Sequence, residues 1–138
     1  MQSKFGLSKD EILRGYNSFK KVIDSSSLIN GNYVSLYIQI VNDSDRSFDK
    51  SPQIKVGFML SKKKIPEASR RNTLRRQMKE IFRLNKNKIM IPQDKYIIIL
   101  MSAGSRAASI IRDNKKIDYH ILEKDILKLF EKINLMLK

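Results

Sequence analysis

The chain has no cysteine and a single histidine, His120, in 138 residues. Without cysteine there is no disulfide framework and no thiolate-held zinc, and one histidine cannot build a two-histidine metal site. A nucleophilic triad would rest on His120 alone, which follows Tyr119 near the start of a helical pattern and reads as a structural residue. The five glycines stand apart, so no glycine-rich phosphate loop is present. Tryptophan is absent, and no run approaches the roughly 18 apolar residues of a membrane-crossing helix. Residues 1–13 show neither a long apolar run nor a small-residue cleavage site, so no secretory signal is expected and the cytoplasm is the expected location. Acids are scarce, 14 against 28 Lys and Arg. They are scattered, and no pair stands at helical spacing in an apolar setting, as glycosidase or metal chemistry would want. These absences argue against catalysis by the protein alone, with no catalytic residue and no protein-held metal expected.

What is present is positive charge, a formal +14, and it is concentrated. Twelve basic residues lie between Lys55 and Lys88, opposed only by Glu67 and Glu80. A diffuse surplus would serve solubility, whereas a local one is the footprint of a surface that meets a polyanion. Hydrophobic residues make up 41%, with six Phe and five Tyr, enough for one folded domain over residues 1–138 that buries roughly two-thirds of its unfolded surface.

The pattern along the chain predicts an α+β fold. Ser8 and Glu11 form a capping-box signature, and Ile12, Tyr16, Phe19 and Ile23 make one stripe of a helix over about 9–23. Asn30, Gly31 and Asn32 mark a turn. Residues 33–40 alternate, with Val34, Leu36, Ile38 and Ile40 on a buried face and Tyr33, Ser35, Tyr37 and Gln39 on the other. Residues 54–60 alternate likewise, and the short connection suggests an antiparallel pair with the first strand. Pro66 disfavours helix at Ile65, so a helix is expected over about 68–85 with Leu74, Met78 and Ile81 inward and a basic outer face. The run 96–100 reads as a central strand buried on both faces. Asp118 caps a last helix whose stripe is Leu122, Ile126, Leu129, Ile133 and Met136. The order is α-β-β-(β)-α-β-α, the bracketed strand falling near Phe48, with one sheet covered by helices on one side.

This arrangement suits RNA. Arg71, Arg75 and Arg76 present planar forks for phosphate, Lys62, Lys63 and Lys79 supply point charges, and Asn72 adds a donor and an acceptor. Tyr33 and Tyr37, with Phe19 facing them from the first helix, offer rings on which single-stranded bases stack, with Lys55 and Met59 as neighbours.

The run Val56-Gly57-Phe58-Met59-Leu60-Ser61-Lys62-Lys63, followed by Arg70-Arg71-Asn72-Thr73-Leu74-Arg75-Arg76, resembles the bacterial ribonuclease P protein component family. That family pairs a strand ending in Ser-Lys-Lys with a helix opening on Arg-Asn-Arg and a further basic pair. Leu7-Ser8-Lys9, Phe19, Tyr37 and Asp94-Lys95-Tyr96 fall at family-like spacing, so the likeness covers about residues 5–130. Thr73 stands in place of the second arginine, so that phosphate contact is absent unless Arg70 supplies it. The resemblance implies a single-domain α/β sandwich with a left-handed βαβ crossover through the basic helix. It implies two partners, ribonuclease P RNA and precursor tRNA, and no role for DNA or a membrane. Mg²⁺, held mainly by the RNA, would activate the water that removes the 5′ leader. The basic helix and loop would bind the catalytic RNA, and the cleft between the first helix and the sheet would hold the leader. The rival reading is a non-enzymatic RNA-binding module, such as a ribosome-associated protein on a similar fold.

Overall fold

The structure, a computed structural model, describes residues 12, 16–42 and 53–138. In chain order the elements are α1 (Tyr16–Ser25), β1 (Ser27–Asn30), β2 (Val34–Asn42), β3 (Ile54–Met59), α2 (Ala68–Asn85), a 3₁₀ turn at Lys86–Lys88, β4 (Lys95–Ala103), α3 (Ser105–Arg112) and α4 (Tyr119–Leu137). The expected capping box at Ser8 and Glu11 and the strand near Phe48 lie outside the described residues.

Among the described residues the sheet runs β1-β2-β4-β3. β2 pairs antiparallel with β1 and with β4, and β3 pairs parallel with β4. The expected antiparallel partnership of β2 and β3 is therefore not formed, because β4 lies between them. The most apolar strand takes the centre, where both its edges pair and both its faces can be covered. β3, α2 and β4 form the parallel βαβ unit that the resemblance implies.

Alternation divides the sheet into two faces. Val34, Leu36, Ile38, Ile54, Val56, Phe58, Ile97, Ile99, Met101 and Ala103 belong to one core with buried residues of α2, α3 and α4. Leu100 and Val22 are buried too, but outside that core. Leu100 points the opposite way from Ile99, and α1 contacts β2 and β4, so α1 covers the second face. The expectation of helices on one side only is corrected accordingly.

Other corrections follow from packing. Ile12 makes a parallel bridge with Val56 and is not on the first helix, where Val22 rather than the Phe19–Ile23 stripe is buried. β1 and α3 were not expected. Four residues are too few to show a period, and β1 exists because the Gly31 turn folds it onto β2, the Gly31 N–H donating to the Val34 carbonyl at 2.8 Å. α3 packs through Ala107, Ala108 and Ile111 and is only 8 residues long, two turns in which a helical stripe has little room to repeat. In α4, Met136 is exposed and Leu137 is buried instead, because a 3.6-residue period carries the core side on from Ile133 to position 137. Asp118 caps this helix as expected, accepting from the His120 and Ile121 N–H groups.

One buried carboxylate ties α4 to the sheet. Asp125 accepts from the backbone N–H groups of Asn32 and Tyr33, both at 2.8 Å, and of Val34 at 3.0 Å. A Cβ on Gly31 would stand 2.7 Å from both carboxylate oxygens, so the turn and the clamp require glycine there.

Candidate nucleic-acid interface

α2 forms over the predicted span and buries Leu74, Met78, Ile81, Phe82 and Asn85. Its opposite side carries Asn72, Arg76, Lys79 and Arg83 in one row. Arg76 and Lys79 are exposed and have no side-chain partner among the described residues. Arg83 differs: Nε and Nη2 fork onto the Glu80 carboxylate at 3.0 and 2.6 Å. These hydrogen bonds hold the Glu80 carboxyl below its ordinary range and raise Arg83. Its charge is thereby largely answered within the chain.

The other arginines are distinguished by what they touch. Arg71 donates from Nη1 to the carbonyls of Ile65 and Pro66 at 2.8 and 2.7 Å. It braces the loop that carries Lys62, Lys63 and Lys64 back against the helix, with one edge of its guanidinium committed. The same loop is tightened by Ser61, whose Oγ accepts from the Lys63 N–H at 3.1 Å and whose carbonyl accepts from the Ile65 N–H at 2.9 Å. The three lysines are left exposed on a fixed turn. Arg75 donates to Asn72 Oδ1 at 2.6 Å, so the two predicted contacts form one unit that presents the Asn72 amide N–H₂. Arg70 pairs with Glu67 at 2.9 Å and donates to the Ile111 and Arg112 carbonyls at 3.2 and 3.1 Å. It ties down the end of α3 and is no free substitute for an arginine at Thr73, whose hydroxyl donates to the Ser69 carbonyl at 3.0 Å.

The second face of the sheet, beside α1, is less deeply buried among the described residues. Three rows cross it in register: Lys55, Ile98 and Gln39; Gly57, Leu100 and Tyr37; Met59, Ser102 and Ser35. Gly57 and Leu100 are buried and the others are half-buried. Phe19, half-buried, lies three residues before buried Val22 and so on the same side of α1. These placements put Tyr37, Lys55 and Met59 on the sheet face that α1 covers, with Phe19 on the side of α1 that carries Val22.

Tyr33 is placed differently. It precedes β2, packs against the main core and carries the Arg106 guanidinium 5.0 Å from its ring centroid. Four residues of extended chain separate it from Tyr37 by about 13 Å, so the two rings do not make one platform. Arg106 was missed by sequence reading. No local spacing links residues 33 and 106; the contact exists because the Gly104 N–H returns to the Tyr33 carbonyl at 2.9 Å.

His120 is exposed, its ring edge-on to Tyr119 at 5.8 Å. Burial, aided by Glu123 and Glu80, raises the Tyr119 hydroxyl above its ordinary value. Among the described residues no group of three or more His, Cys, Asp or Glu could hold a metal ion, and no helix is long and apolar enough to cross a membrane.

The model of the family described as Ribonuclease P matches residues 7–134. The chain is 35% identical over 83 residues to the ribonuclease P protein component of Chlorobium phaeobacteroides, covering 60% of this chain and 56% of that protein. It is 30% identical over 83 residues to the component of Chlorobaculum tepidum, covering 59% and 51%. The matched segment thus spans about half the length of these relatives. The fold is similar to the ribonuclease P protein of Thermotoga maritima, with TM-score 0.66, 22% identity and coverage of 89% of this chain and 97% of that one. It is also similar to that of Staphylococcus aureus, with TM-score 0.63, 16% identity and coverage of 93% and 98%.

Proposed function

The chain belongs to the ribonuclease P protein family, and from that premise we propose that it is the protein subunit of ribonuclease P. It binds the catalytic RNA and the 5′ leader of precursor tRNA and assists removal of the leader in the cytoplasm. The observation that carries this reading is the basic surface of α2 and its loop. Lys62, Lys63, Arg76 and Lys79 stand exposed on fixed backbone, beside arginines whose intramolecular bonds hold their neighbours in place.

In this reading the exposed cations neutralise phosphates of the catalytic RNA. Arg71, Asn72 and Arg75 use their remaining donors on the same strand, held in position before it arrives. The cleft beside α1 takes the leader, with Phe19 and Tyr37 stacking on bases and Lys55 meeting a phosphate. Tyr33, with Arg106 over its ring, meets the leader at the far end of β2. Magnesium ions, held mainly by the RNA, supply the activated water for phosphodiester cleavage. The side chains of this chain position the two RNAs and lower the repulsion between them.

The test is cleavage of a 5′-extended precursor tRNA at low Mg²⁺ by a bacterial ribonuclease P RNA, with and without this protein. Cleavage at the mature 5′ end only when both are present is the expected result. Tight RNA binding without any assistance to the ribozyme would overturn the reading in favour of a simple RNA-binding module.

A further inference from the structure

The flank of α2 that carries Arg70, Thr73 and Gln77 lies against the segment joining α3 to α4, and that segment is pinned from both sides. α3 ends with Asn114 at φ 61°. The Asn114 N–H returns to the Ile111 carbonyl and the Lys115 N–H to the Ile110 carbonyl, each at 3.1 Å, the paired bonds of a Schellman motif. From α2, Arg70 holds the Ile111 and Arg112 carbonyls, and Gln77 Nε2 donates to the Ile117 carbonyl at 3.2 Å. Beside these ties a cavity of about 100 Å³ opens, lined by Arg70, Thr73, Ile111, Asn114, Lys115 and Lys116.

The charge of this cavity is one-sided. Among the described residues no acid lines it, and both lysines are exposed with no side-chain partner there. Glu67 answers Arg70, so the free charge belongs to Lys115 and Lys116. Of the two nearby aspartates, Asp118 is committed to the cap of α4 and Asp113 is not part of the lining. A larger cavity of about 220 Å³ on the other side of Arg70 is lined by Glu67 as well as Arg112, which disfavours an anion there. Thr73 is three residues before Arg76, so the lysine cavity adjoins the exposed basic row of α2.

We infer that this cavity is a phosphate site, which extends the RNA-binding surface of α2 onto the α3–α4 segment through Lys115 and Lys116. The inference rests on the RNA-binding function proposed above. The ligand is a backbone phosphate of the RNA lying along α2. The segment is already fixed at Ile110, Ile111 and Ile117, so only the lysine side chains need ordering when it binds. The contact adds affinity and salt dependence without sequence preference.

The test measures binding of the intact protein to a bacterial ribonuclease P RNA across a series of salt concentrations. The variants are Lys115→Ala/Lys116→Ala, the same with Thr73→Arg added, and Lys128→Ala/Lys132→Ala, which removes equal charge from the exposed side of α4. The first variant is expected to bind roughly tenfold more weakly, with its salt slope reduced by about 1 to 2. Adding Thr73→Arg, which puts a guanidinium beside the same cavity, restores most of both. The α4 variant changes the slope little, and thermal melts confirm that all three fold. Loss of affinity and slope by the α4 variant equal to that of the first variant, or no loss in the first variant, overturns the inference while leaving the proposed function standing. Failure of the unaltered protein to prefer this RNA over an unrelated one overturns both.

Discussion

On one side of the sheet, ten side chains of β2, β3 and β4 lie under α2, α3 and α4, none more than 9% exposed. On the other side, of the three rows that cross the same strands beside α1, only Gly57 and Leu100 are buried. The closed side is almost purely aliphatic, with Phe82 and Phe130 edge-on at 6.0 Å. The open side mixes Tyr37, Gln39, Ser35, Lys55 and Met59. A single sheet can hold a protein together chiefly with one face, because alternation lets adjacent residues of one strand answer to different demands.

Adjacent residues of β4 give the sharpest way to break this comparison. Ile99→Ala, on the closed side, is expected to cost about 3–4 kcal/mol of stability, and Ile98→Ala, half-buried on the open side, no more than about half of that. Equal losses in urea unfolding would show that the second face is also a core. Next in size is Asp125→Ala, which strands three backbone donors at the turn between β1 and β2. About 2–3 kcal/mol is expected from the same measurement, with RNA affinity of the folded fraction unchanged.

On the open side, Tyr37→Ala is expected to weaken precursor tRNA binding by the holoenzyme about tenfold, near 1.4 kcal/mol, while sparing mature tRNA. Equal weakening of both would remove the leader from this cleft. The smallest effect belongs to the Glu80–Arg83 pair at the surface. The folded-state pKa of Glu80 is lowered, so its contribution is present above the ordinary glutamate value and is lost as pH falls through the lowered one. Melting followed from about pH 6 down to about pH 3 should show a slight acid-side loss. That loss should disappear in Glu80→Gln and shrink in high salt, and an unchanged loss in Glu80→Gln would assign it to other carboxylates.

Much of this fold was legible locally. The predicted helix over 68–85 coincides with α2, because Leu74, Met78 and Ile81 repeat at helical spacing between Pro66 and the buried Asn85. The alternation of residues 33–40 and 54–60 located β2 and β3 to within two residues. Pairing was not legible. β2 and β3 are neighbours in sequence, yet β4, arriving after α2, separates them. Of the predicted contact residues, the spacing placed Asn72, Arg76 and Lys79 correctly on the outer side of α2. It did not reveal that Arg71 braces the lysine loop, that Arg70 holds the end of α3, or that Arg106 lies over Tyr33.

By itself, then, the amino-acid order determined where the positive charge is concentrated and which helix and strands carry the candidate residues. Charge density, helical period and strand alternation are properties of neighbouring residues and do not depend on how distant segments are joined. Only the tertiary structure decided which strand took the centre, which sheet face is the more deeply buried, and which cations are committed inside the molecule. A guanidinium is satisfied by whichever carbonyls the fold brings to it, and those of Ile111 and Arg112 lie some forty residues along the chain from Arg70.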